Sequence, residues 1–340
     1  MLVLTHDDVV AALDGAEAAV LDAVRGAYQA HAAGRTVVPH SVFLRFPGRD
    51  RDRIIGLPAY LGSTGTDTGA GSDEVAGMKW IASFPGNVDR GVPRASAVVV
   101  LNRLDTGQPE VLLEGSVISA RRTGASAALA ARELAGQPGA DAVTGASFVG
   151  GGVINFEVLR YLRHTLAGLR EVTVYDLDPA RAEDFAARCT GQWPDLVVEC
   201  ARSVDETMAR HPVISVATTA ARPYLNLDAC AQGAVVLHVS LRDLTVDAVL
   251  SADNVVDDAD HVCREQTSLH LAEQVVGHRG FIRAGIGDIL LGNGPAAPEP
   301  GRVTVFSPFG LGVLDLALAR LVRSVAQRDG RGVPVPNFLG

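Results

Sequence analysis

The sequence has few cysteines, and their spacing excludes the usual sites built from thiols. There are four among 340 residues, far apart and without a C-x-x-C pair: Cys189, Cys200, Cys230 and Cys263. The histidines form no spaced ligand set either, and we interpret His40, His238 and His261 as structural or surface side chains. We therefore expect no metal site, no disulfide framework, and free thiols in a reducing cytoplasm.

Positive charge is in deficit, and long apolar runs are missing. Lys and Arg number 30 against 39 Asp and Glu, which gives a formal charge of −9. Because a nucleic-acid surface needs a basic face, this balance argues against a nucleic-acid partner. No apolar run reaches the roughly 18 residues of a membrane span. The opening MLVLTHDD has no cationic segment, so we do not expect a signal peptide or a membrane partner.

The first third of the chain mixes helical and strand patterns. Thr5 and Asp8 resemble a capping box, and residues 16–33 have helical apolar spacing that stops at Gly34. Strand-like runs follow with short breaks: VVPHSVFLRF, RIIGLPAYL, GMKWIASF, ASAVVVLN and TGQPEVLLEG. These runs predict an antiparallel or mixed sheet. Residues 62–77, GSTGTDTGAGSDEVAG, are typical of a mobile loop.

The pattern changes near Ser116, where an Ala-rich helix begins. Short β-rich runs then alternate with helical segments: VTVYDLD, LVVEC, PVISVATT, AVVLHVS and NVVDDAD. This alternation predicts an α/β fold with a Rossmann-type, doubly wound parallel sheet beside a mixed α+β domain. We expect a substrate and dimerisation domain over 1–118 and a nucleotide domain over 119–308. An amphipathic helix within 309–340 is expected to return to the first domain.

The stretch FVGGGVINFE, residues 148–157, indicates a dinucleotide site. Gly150 and Gly152 stand where the first two glycines of G-x-G-x-x-G belong, while Asn155 takes the third place. A strand precedes the turn, a helix follows it, and Asp176 ends the next strand about twenty residues later, where an acid can bind the adenosine ribose. Asp176 would repel a 2′-phosphate, so NAD is favoured over NADP. Asn155 implies wider packing or a polar contact with phosphate, and either Asp176 or Asp178 could instead cap the next helix.

Basic side chains are spread through the first domain. Lys79 lies in the apolar run GMKWIASF, and Arg121 and Arg122 lie in an otherwise uncharged helix start. Arg45 ends one strand-like run and Arg53 begins the next. In an acidic chain this spacing suits a small molecule with several carboxylates. The alternative for Lys79 is an ordinary solvated lysine on an edge face.

Several of these segments resemble one known family. KWIASFPGN, SAVVVLNRLDTGQP, EGSVISARRTGASAALAA, FVGGGVINFE and TVFSPFGLGVLDLALA are similar to the ornithine cyclodeaminase/μ-crystallin family over nearly the whole chain. RIIGLPAYLG, KWIASFPGN and HVSLRDL look most like the branch that makes 2,3-diaminopropionate for siderophores and peptide antibiotics. The resemblance implies a homodimer in which the first-domain sheets meet, and a cofactor crevice between the domains.

The resemblance also implies roles for individual residues. Lys79 and Arg122 would bind the substrate carboxylate, with Arg45 as a helper and Arg121 as a neighbour only. Asp243, in the run HVSLRDL, would be the catalytic base, although S-L-R-D replaces the family's G-A-D and the register is open by one residue. Lys79 is the alternative acid–base group. The NAD contacts implied are Arg122, Thr123, Gly150, Gly152, Val153, Ile154, Asn155, Asp176, Ala217, Thr218 and Ser240.

The activity that the resemblance implies is an oxidative cleavage of N-(2-amino-2-carboxyethyl)-L-glutamate to 2,3-diaminopropionate and 2-oxoglutarate. The cyclodeaminase's substrate-side glutamate is expected at position 56, which is glycine here, so an ornithine δ-ammonium would lack its counter-charge. The alternatives are ornithine cyclodeaminase, alanine dehydrogenase and ketimine reductase. From another class, a non-catalytic binder of NAD(P)H and a small ligand stays open.

Overall fold

The computed structural model describes residues 1–63, 73–135, 139–295 and 301–339. The chain divides into two compact units. The first comprises Met1–Arg122 and Gly310–Gly340, and the second comprises Thr123–Phe309.

The helices and strands alternate along the chain as follows. The helices are α1 His6–Leu13, α2 Glu17–Ala32, α3 Ser116–Leu134, α4 Val153–Thr165, α5 Pro179–Gln192, α6 Val204–Arg210, α7 Val246–Ser251, α8 Ala259–Val262, α9 Ser268–Val276, α10 Ile286–Leu290 and α11 Gly312–Arg328. The strands are β1 Leu2–Leu4, β2 Thr36–Val37, β3 Val42–Phe46, β4 Arg49–Leu61, β5 Val75–Ser83, β6 Ala95–Asn102, β7 Pro109–Glu114, β8 Gly145–Val149, β9 Glu171–Tyr175, β10 Val197–Cys200, β11 Val213–Val216, β12 Val235–His238, β13 Asp253–Val256, β14 Ile282–Gly285, β15 Thr304–Ser307 and β16 Val333–Pro334.

The first unit contains a mixed sheet, as predicted. Its order is β16-β1-β7-β6-β5-β4-β2, with β3 also paired to β4. The strands from β2 to β7 pair antiparallel, and β1 runs parallel to β7. Helix α11 packs on β4, β5 and β6. We call the face that it covers the inner face.

Side chains alternate between the two faces of this sheet because successive residues of a strand point to opposite sides. One inner-face row joins Leu57, Lys79, Val99 and Leu113, which are paired across four strands and buried. The adjacent row, on the outer face, joins Val42, Gly56, Trp80, Val98 and Glu114. Lys79 therefore belongs to a buried apolar face and not to a solvated edge.

The second unit is a doubly wound parallel sheet, as predicted. Its order is β10-β9-β8-β11-β12-β15-β13-β14, and every pairing described is parallel. The central strands are buried throughout, which explains why their sequences are mostly apolar. The strand order reverses between β8 and β11. Ligands of such sheets bind at the carboxyl ends of the strands at this reversal.

Local details agree with the sequence patterns, with a few exceptions. The Thr5–Asp8 capping box opens α1, and α2 ends two residues before Gly34, whose φ is +68°. Strands β1, β14 and β16 were not predicted; β1 and β16, with three and two residues, are too short to show a strand periodicity. Strand β5 starts at Val75, inside the predicted mobile loop; residues 64–72 of that loop lie outside the described residues.

Candidate active site

The Gly-rich turn connects β8 to α4. Gly150 has φ +101°, and a Cβ there would lie 2.5 Å from the Ala217 carbonyl oxygen, so glycine is required. A Cβ on Gly151 would lie 2.6 Å from the Arg181 carbonyl oxygen. Gly152, the N-cap of α4, has φ −89°, and an added Cβ would meet no atom within 4 Å. Glycine at 150 and 151 thus serves the turn itself, whereas the missing side chain at 152 leaves open space beside the helix.

Asp176 follows β9 and contacts this turn. Its Oδ2 accepts a hydrogen bond of 2.7 Å from the Gly151 N–H, and its Oδ1 accepts one of 3.1 Å from the Asp178 N–H. The N-cap of α5 is Asp178, whose side chain accepts from the Ala180 N–H. The alternative in which Asp176 caps that helix is therefore wrong, and Asp176 stays where a ribose-binding acid is expected.

Asn155 is fully buried beneath the turn. Its Nδ2 donates to the carbonyl oxygens of Val149 at 3.0 Å and Gly150 at 2.7 Å, and its Oδ1 accepts from the Ser215 hydroxyl at 2.7 Å. Both amide hydrogens and the oxygen are used inside the protein. The predicted side-chain contact with phosphate is therefore wrong; Asn155 fastens the helix start to β8 and β11.

The start of α4 fits an anionic group. Gly152 gives it no side-chain cap, and Val153 at its first position is 58% exposed. The first N–H groups of a helix and its dipole favour a phosphate at this position. Ile154 is the second residue of α4, and Ala217 lies beside Gly150. Together with Asp176 these groups can hold the pyrophosphate and ribose of NAD.

Asp243 lies in a buried polar network of the second unit. Its carboxylate accepts hydrogen bonds from the hydroxyls of Thr218 and Ser240, and its backbone N–H donates to His238 Nε2 at 3.2 Å. Burial alone would raise the pKa of Asp243, but the interactions with His238, Ser240 and Thr218 outweigh it and lower that pKa. Its two oxygens hold the segments after β11 and β12, which carry the predicted cofactor contacts Thr218 and Ser240.

The cations of the first unit converge on a carboxylate that the sequence reasoning missed. Asp315, in the first turn of α11, lies 2.7 Å from Lys79 Nζ through Oδ2 and 3.1 Å from Arg122 Nε through Oδ1. The side chains of Lys79 and Asp315 are 2% and 0% exposed, and that of Arg122 is 10% exposed. The Ser119 hydroxyl accepts from Lys79 at 3.2 Å. Lys79, Arg122 and Asp315 thus form one buried charged group.

The electrostatics of this group make Lys79 a titratable side chain near neutrality. Burial first, and then the charge of Arg122, lower the pKa of Lys79 from its usual 10.5 to about 8, although Asp315 acts in the opposite direction. Two cations and one anion leave one positive charge in excess at neutral pH. A buried site of this kind favours a further anion.

The structure places Arg121 and Arg45 apart from Lys79. Arg121 pairs with Asp14 and lies 3.8 Å from Glu17. Arg45 is on the inner face of β3 and exposed. In the sheet register it lies opposite Arg53 of β4, which lies opposite Ser83 of β5, four residues beyond Lys79. Of the predicted substrate-binding residues, Lys79 and Arg122 are thus brought together and Arg45 is not.

Position 56 does not bear on this group. A Cβ on Gly56 would contact the Trp80 ring at 3.4 Å and the Met78 sulfur at 3.6 Å, both on the outer face. An acid at 56 would point away from Lys79. The expectation that Gly56 removes a substrate-side counter-charge is therefore wrong.

The described residues contain neither a metal-binding group nor a membrane-spanning helix. Within those residues, no group of His, Cys, Asp and Glu is arranged to hold a metal ion. None of the helices described there is both long and apolar enough to cross a membrane. The four cysteines are free thiols.

Comparison with known proteins gives one family. The model of the ornithine cyclodeaminase/mu-crystallin family matches residues 2–330. N-((2S)-2-amino-2-carboxyethyl)-L-glutamate dehydrogenase of Staphylococcus aureus is 27% identical, covering 98% of this chain and 97% of the relative. Alanine dehydrogenase of Archaeoglobus fulgidus is 27% identical, covering 99% and 98%. The structure of Thermococcus litoralis Δ1-pyrroline-2-carboxylate reductase in complex with NADH and L-proline superposes with a TM-score of 0.89 and 25% identity, covering 98% and 100%.

Proposed function

The chain belongs to the ornithine cyclodeaminase/mu-crystallin family and is one of its NAD(P)-dependent amino-acid dehydrogenases or reductases, and we propose that it cleaves N-(2-amino-2-carboxyethyl)-L-glutamate oxidatively. Secondary amine, NAD⁺ and water would give 2-oxoglutarate, 2,3-diaminopropionate, NADH and a proton. The relative from Staphylococcus aureus that carries this name supports the choice of substrate over almost the full length.

The observation that carries the proposal is the excess positive charge around Asp315. Lys79 and Arg122 share one carboxylate, in surroundings where an unbalanced charge is costly. A substrate carboxylate supplies the missing negative charge, and the guanidinium of Arg122 suits its planar geometry. The same charge disfavours ornithine, because no second acid is paired with Lys79 or Arg122 among the described residues and a δ-ammonium would add a third cation.

Lys79 would move the proton. Bound NAD supplies the hydride acceptor of the reaction. The substrate nitrogen must lose its ammonium proton before its carbon can be oxidised, and the neutral form of Lys79, whose pKa is about 8, can accept that proton. The Lys79 ammonium formed in this way then pairs with the substrate carboxylate beside Arg122. Lys79 can return a proton to the departing amine when water has added to the imine. Arg122 meanwhile holds the carboxylate next to the reacting carbon.

Asp243 fits a supporting role better than that of a base. Its lowered pKa and its two hydroxyl donors make it a poor proton acceptor near neutral pH. It holds Thr218 and Ser240, and through them the loops that we assign to the cofactor. The assignment of Asp243 as the catalytic base stays a prediction that the exchange Asp243→Asn can test.

NAD is the proposed cofactor in preference to NADP. Asp176 keeps a carboxylate at the end of β9, next to the Gly-rich turn. Its negative charge would repel a 2′-phosphate, whereas its oxygens can accept from the ribose hydroxyls.

We also propose a homodimer formed through the outer face of the first-unit sheet. This face exposes large apolar side chains in neighbouring rows, among them Val42, Leu44, Trp80 and Val98, which are between 37% and 63% exposed. Contiguous apolar surface of this kind marks an interface. Light scattering should give twice the 35.5 kDa chain mass, and a smaller mass for Trp80→Glu; a native monomer would contradict this.

A panel of amino acids read by NADH absorbance tests the proposed activity. The glutamate adduct should give NADH, and alanine, ornithine and proline should react far more slowly. Rapid NADH formation with alanine would instead favour alanine dehydrogenase. No NADH formation with any of these substrates would favour a binding protein.

The proposed product also suggests a biological setting. Because 2,3-diaminopropionate is the proposed product, we place the enzyme in the supply of siderophore or peptide-antibiotic precursors, in a reducing cytoplasm that suits its free thiols.

A further inference from the structure

A second group of cations lies on the inner face, beyond Lys79. Arg45, Arg53 and Ser83 are paired in one row across β3, β4 and β5. Paired residues of an antiparallel sheet point to the same side, and Ser83 is four residues from Lys79 on the same strand, so this row shares the inner face. At about 3.3 Å per residue, the row lies roughly 13 Å from the Lys79 row.

Arg94, the residue immediately before β6, completes this group. Its Nη1 donates to the Ser83 hydroxyl at 2.9 Å. Burial, and then the charge of Arg53, lower the pKa of Arg94, so the two guanidinium groups repel each other. Among the residues that the structure describes, no carboxylate lies within ion-pair distance of Arg94. A half-buried arginine beside a second arginine and a buried hydroxyl is arranged to receive an anion.

The surface between the two groups of cations is apolar. Ile55 pairs with Ile81, and Ile81 pairs with Ala97, in the inner-face row that separates Lys79 from Ser83. Ile55 and Ile81 are half-buried. A chain of methylene groups can lie along them while its two ends meet opposite groups of cations.

Helix α11 leaves this strip uncovered. Gly312, at its start, lies over Leu57 and Ala59, whereas Arg320 bonds the Asp73 carbonyl and Arg323 pairs with Glu110. The helix therefore runs from the middle of the sheet toward the end of β4 marked by Leu61. The opposite end, with Arg53 and Ser83, extends past its N-terminus.

We propose that Arg53, Arg94 and Ser83 bind the distal carboxylate of a substrate whose first carboxylate is held by Lys79 and Arg122. The ligand class is an amino or oxo dicarboxylate with a short methylene chain, and in the proposed reaction it is the side-chain carboxylate of the glutamate half. This inference rests on the proposed function for the placement of the first carboxylate. It makes Arg53 and Arg94 the residues that select acidic substrates.

The experiment compares two ligands that differ only at the distal end. Calorimetry in the presence of NADH measures the affinity of 2-oxoglutarate and of 2-oxopentanoate, which has a methyl group in place of the distal carboxylate. Native protein should bind 2-oxoglutarate about tenfold tighter or more, since a hydrogen bond to a charged group contributes about 1.5–3 kcal/mol. Arg94→Met and Arg53→Met should each weaken 2-oxoglutarate binding and leave 2-oxopentanoate unchanged.

Arg103→Met is the matched control. Arg103 is an exposed arginine that pairs with Asp105 just past the opposite end of β6, so its exchange should preserve the preference. Equal affinities for the two ligands in the native protein would overturn the proposal, as would a preference that survives both Arg94→Met and Arg53→Met. A native preference for 2-oxoglutarate without turnover of the glutamate adduct would retain this site and remove the proposed function. Turnover of the glutamate adduct without a preference for 2-oxoglutarate would retain the proposed function and remove this site.

Discussion

Asp315 Oδ2 lies 2.7 Å from Lys79 Nζ in the interior of the first unit, and the other oxygen of the same carboxylate contacts Arg122. One anion thus serves two buried cations. This arrangement links the stability of the unit to the chemistry that we propose for it, because Lys79 is at once an ion-pair partner and a side chain that titrates near neutral pH.

Removing the bridging charge should destabilise the protein. Asp315→Asn leaves two buried cations facing each other, and loss of one partner of a buried pair costs about 3–5 kcal/mol. We expect about 3 kcal/mol, since Lys79 can lose its proton. Chemical denaturation of Asp315→Asn and of the double variant Lys79→Met/Asp315→Asn measures this; the second exchange should restore part of the loss. An unchanged midpoint for Asp315→Asn would contradict the charge assignment.

Lys79 should control the pH dependence of the reaction. Its pKa of about 8 means that it is protonated below pH 8 and neutral above it, and only the neutral form accepts a proton. The oxidative kcat/KM should therefore rise through about pH 8 and then level off. Lys79→Met should lose at least ~100-fold in kcat, as expected for a general base, while NAD affinity changes little. A pH-independent rate in native protein would exclude Lys79 from this role, whereas loss of the rise in Asp243→Asn would favour Asp243.

Substitutions at two glycines of the turn should have different effects, one on cofactor binding and the other on stability. Gly152→Val places its side chain in open space at φ −89°, so the melting temperature should stay near native while NAD binding is lost. Gly150→Ala should instead lower the melting temperature, because φ is +101° and its Cβ would meet the Ala217 oxygen. Calorimetry and thermal unfolding distinguish the two. Native NAD affinity in a folded Gly152→Val would show that the turn is only structural.

Asp176 should set the choice between NAD and NADP. Native protein should bind NAD more tightly than NADP. Asp176→Asn should reduce this difference in affinity, because it removes the charge while keeping an oxygen that can accept from the Gly151 N–H. Asp176→Ser removes that contact as well and should also weaken NAD. Dissociation constants for both cofactors provide the measurement, and equal values in the native protein would remove Asp176 from the ribose site.

Patterns that are local in sequence predicted local structure. The Gly-rich turn, the acid after the next strand and the alternation of buried strands with helices all depend on neighbouring residues. Lys79 and Arg122 could be assigned to one site only through family resemblance, because nothing local in the sequence brings β5 and α3 together.

Features that depend on register or on distant contacts were missed. Asp315 was visible as a lone acid in the apolar run LGVLDLALA, yet its partners lie far away in sequence. The error at Gly56 has a similar origin: whether position 56 or 57 shares a face with Lys79 depends on strand register, and a shift of one residue reverses the faces. Asn155 was interpreted as a possible phosphate ligand because the sequence does not show that its side chain is bonded to β8 and β11 inside the protein.

The central claim is tested most directly by the stoichiometry of one reaction. Purified protein is incubated with NAD and N-(2-amino-2-carboxyethyl)-L-glutamate, NADH is followed by absorbance, and the products are separated by chromatography. We expect NADH, 2-oxoglutarate and 2,3-diaminopropionate in equal amounts. Proline and ammonia from ornithine without net NADH, together with no NADH from the glutamate adduct, would contradict the account and identify a cyclodeaminase.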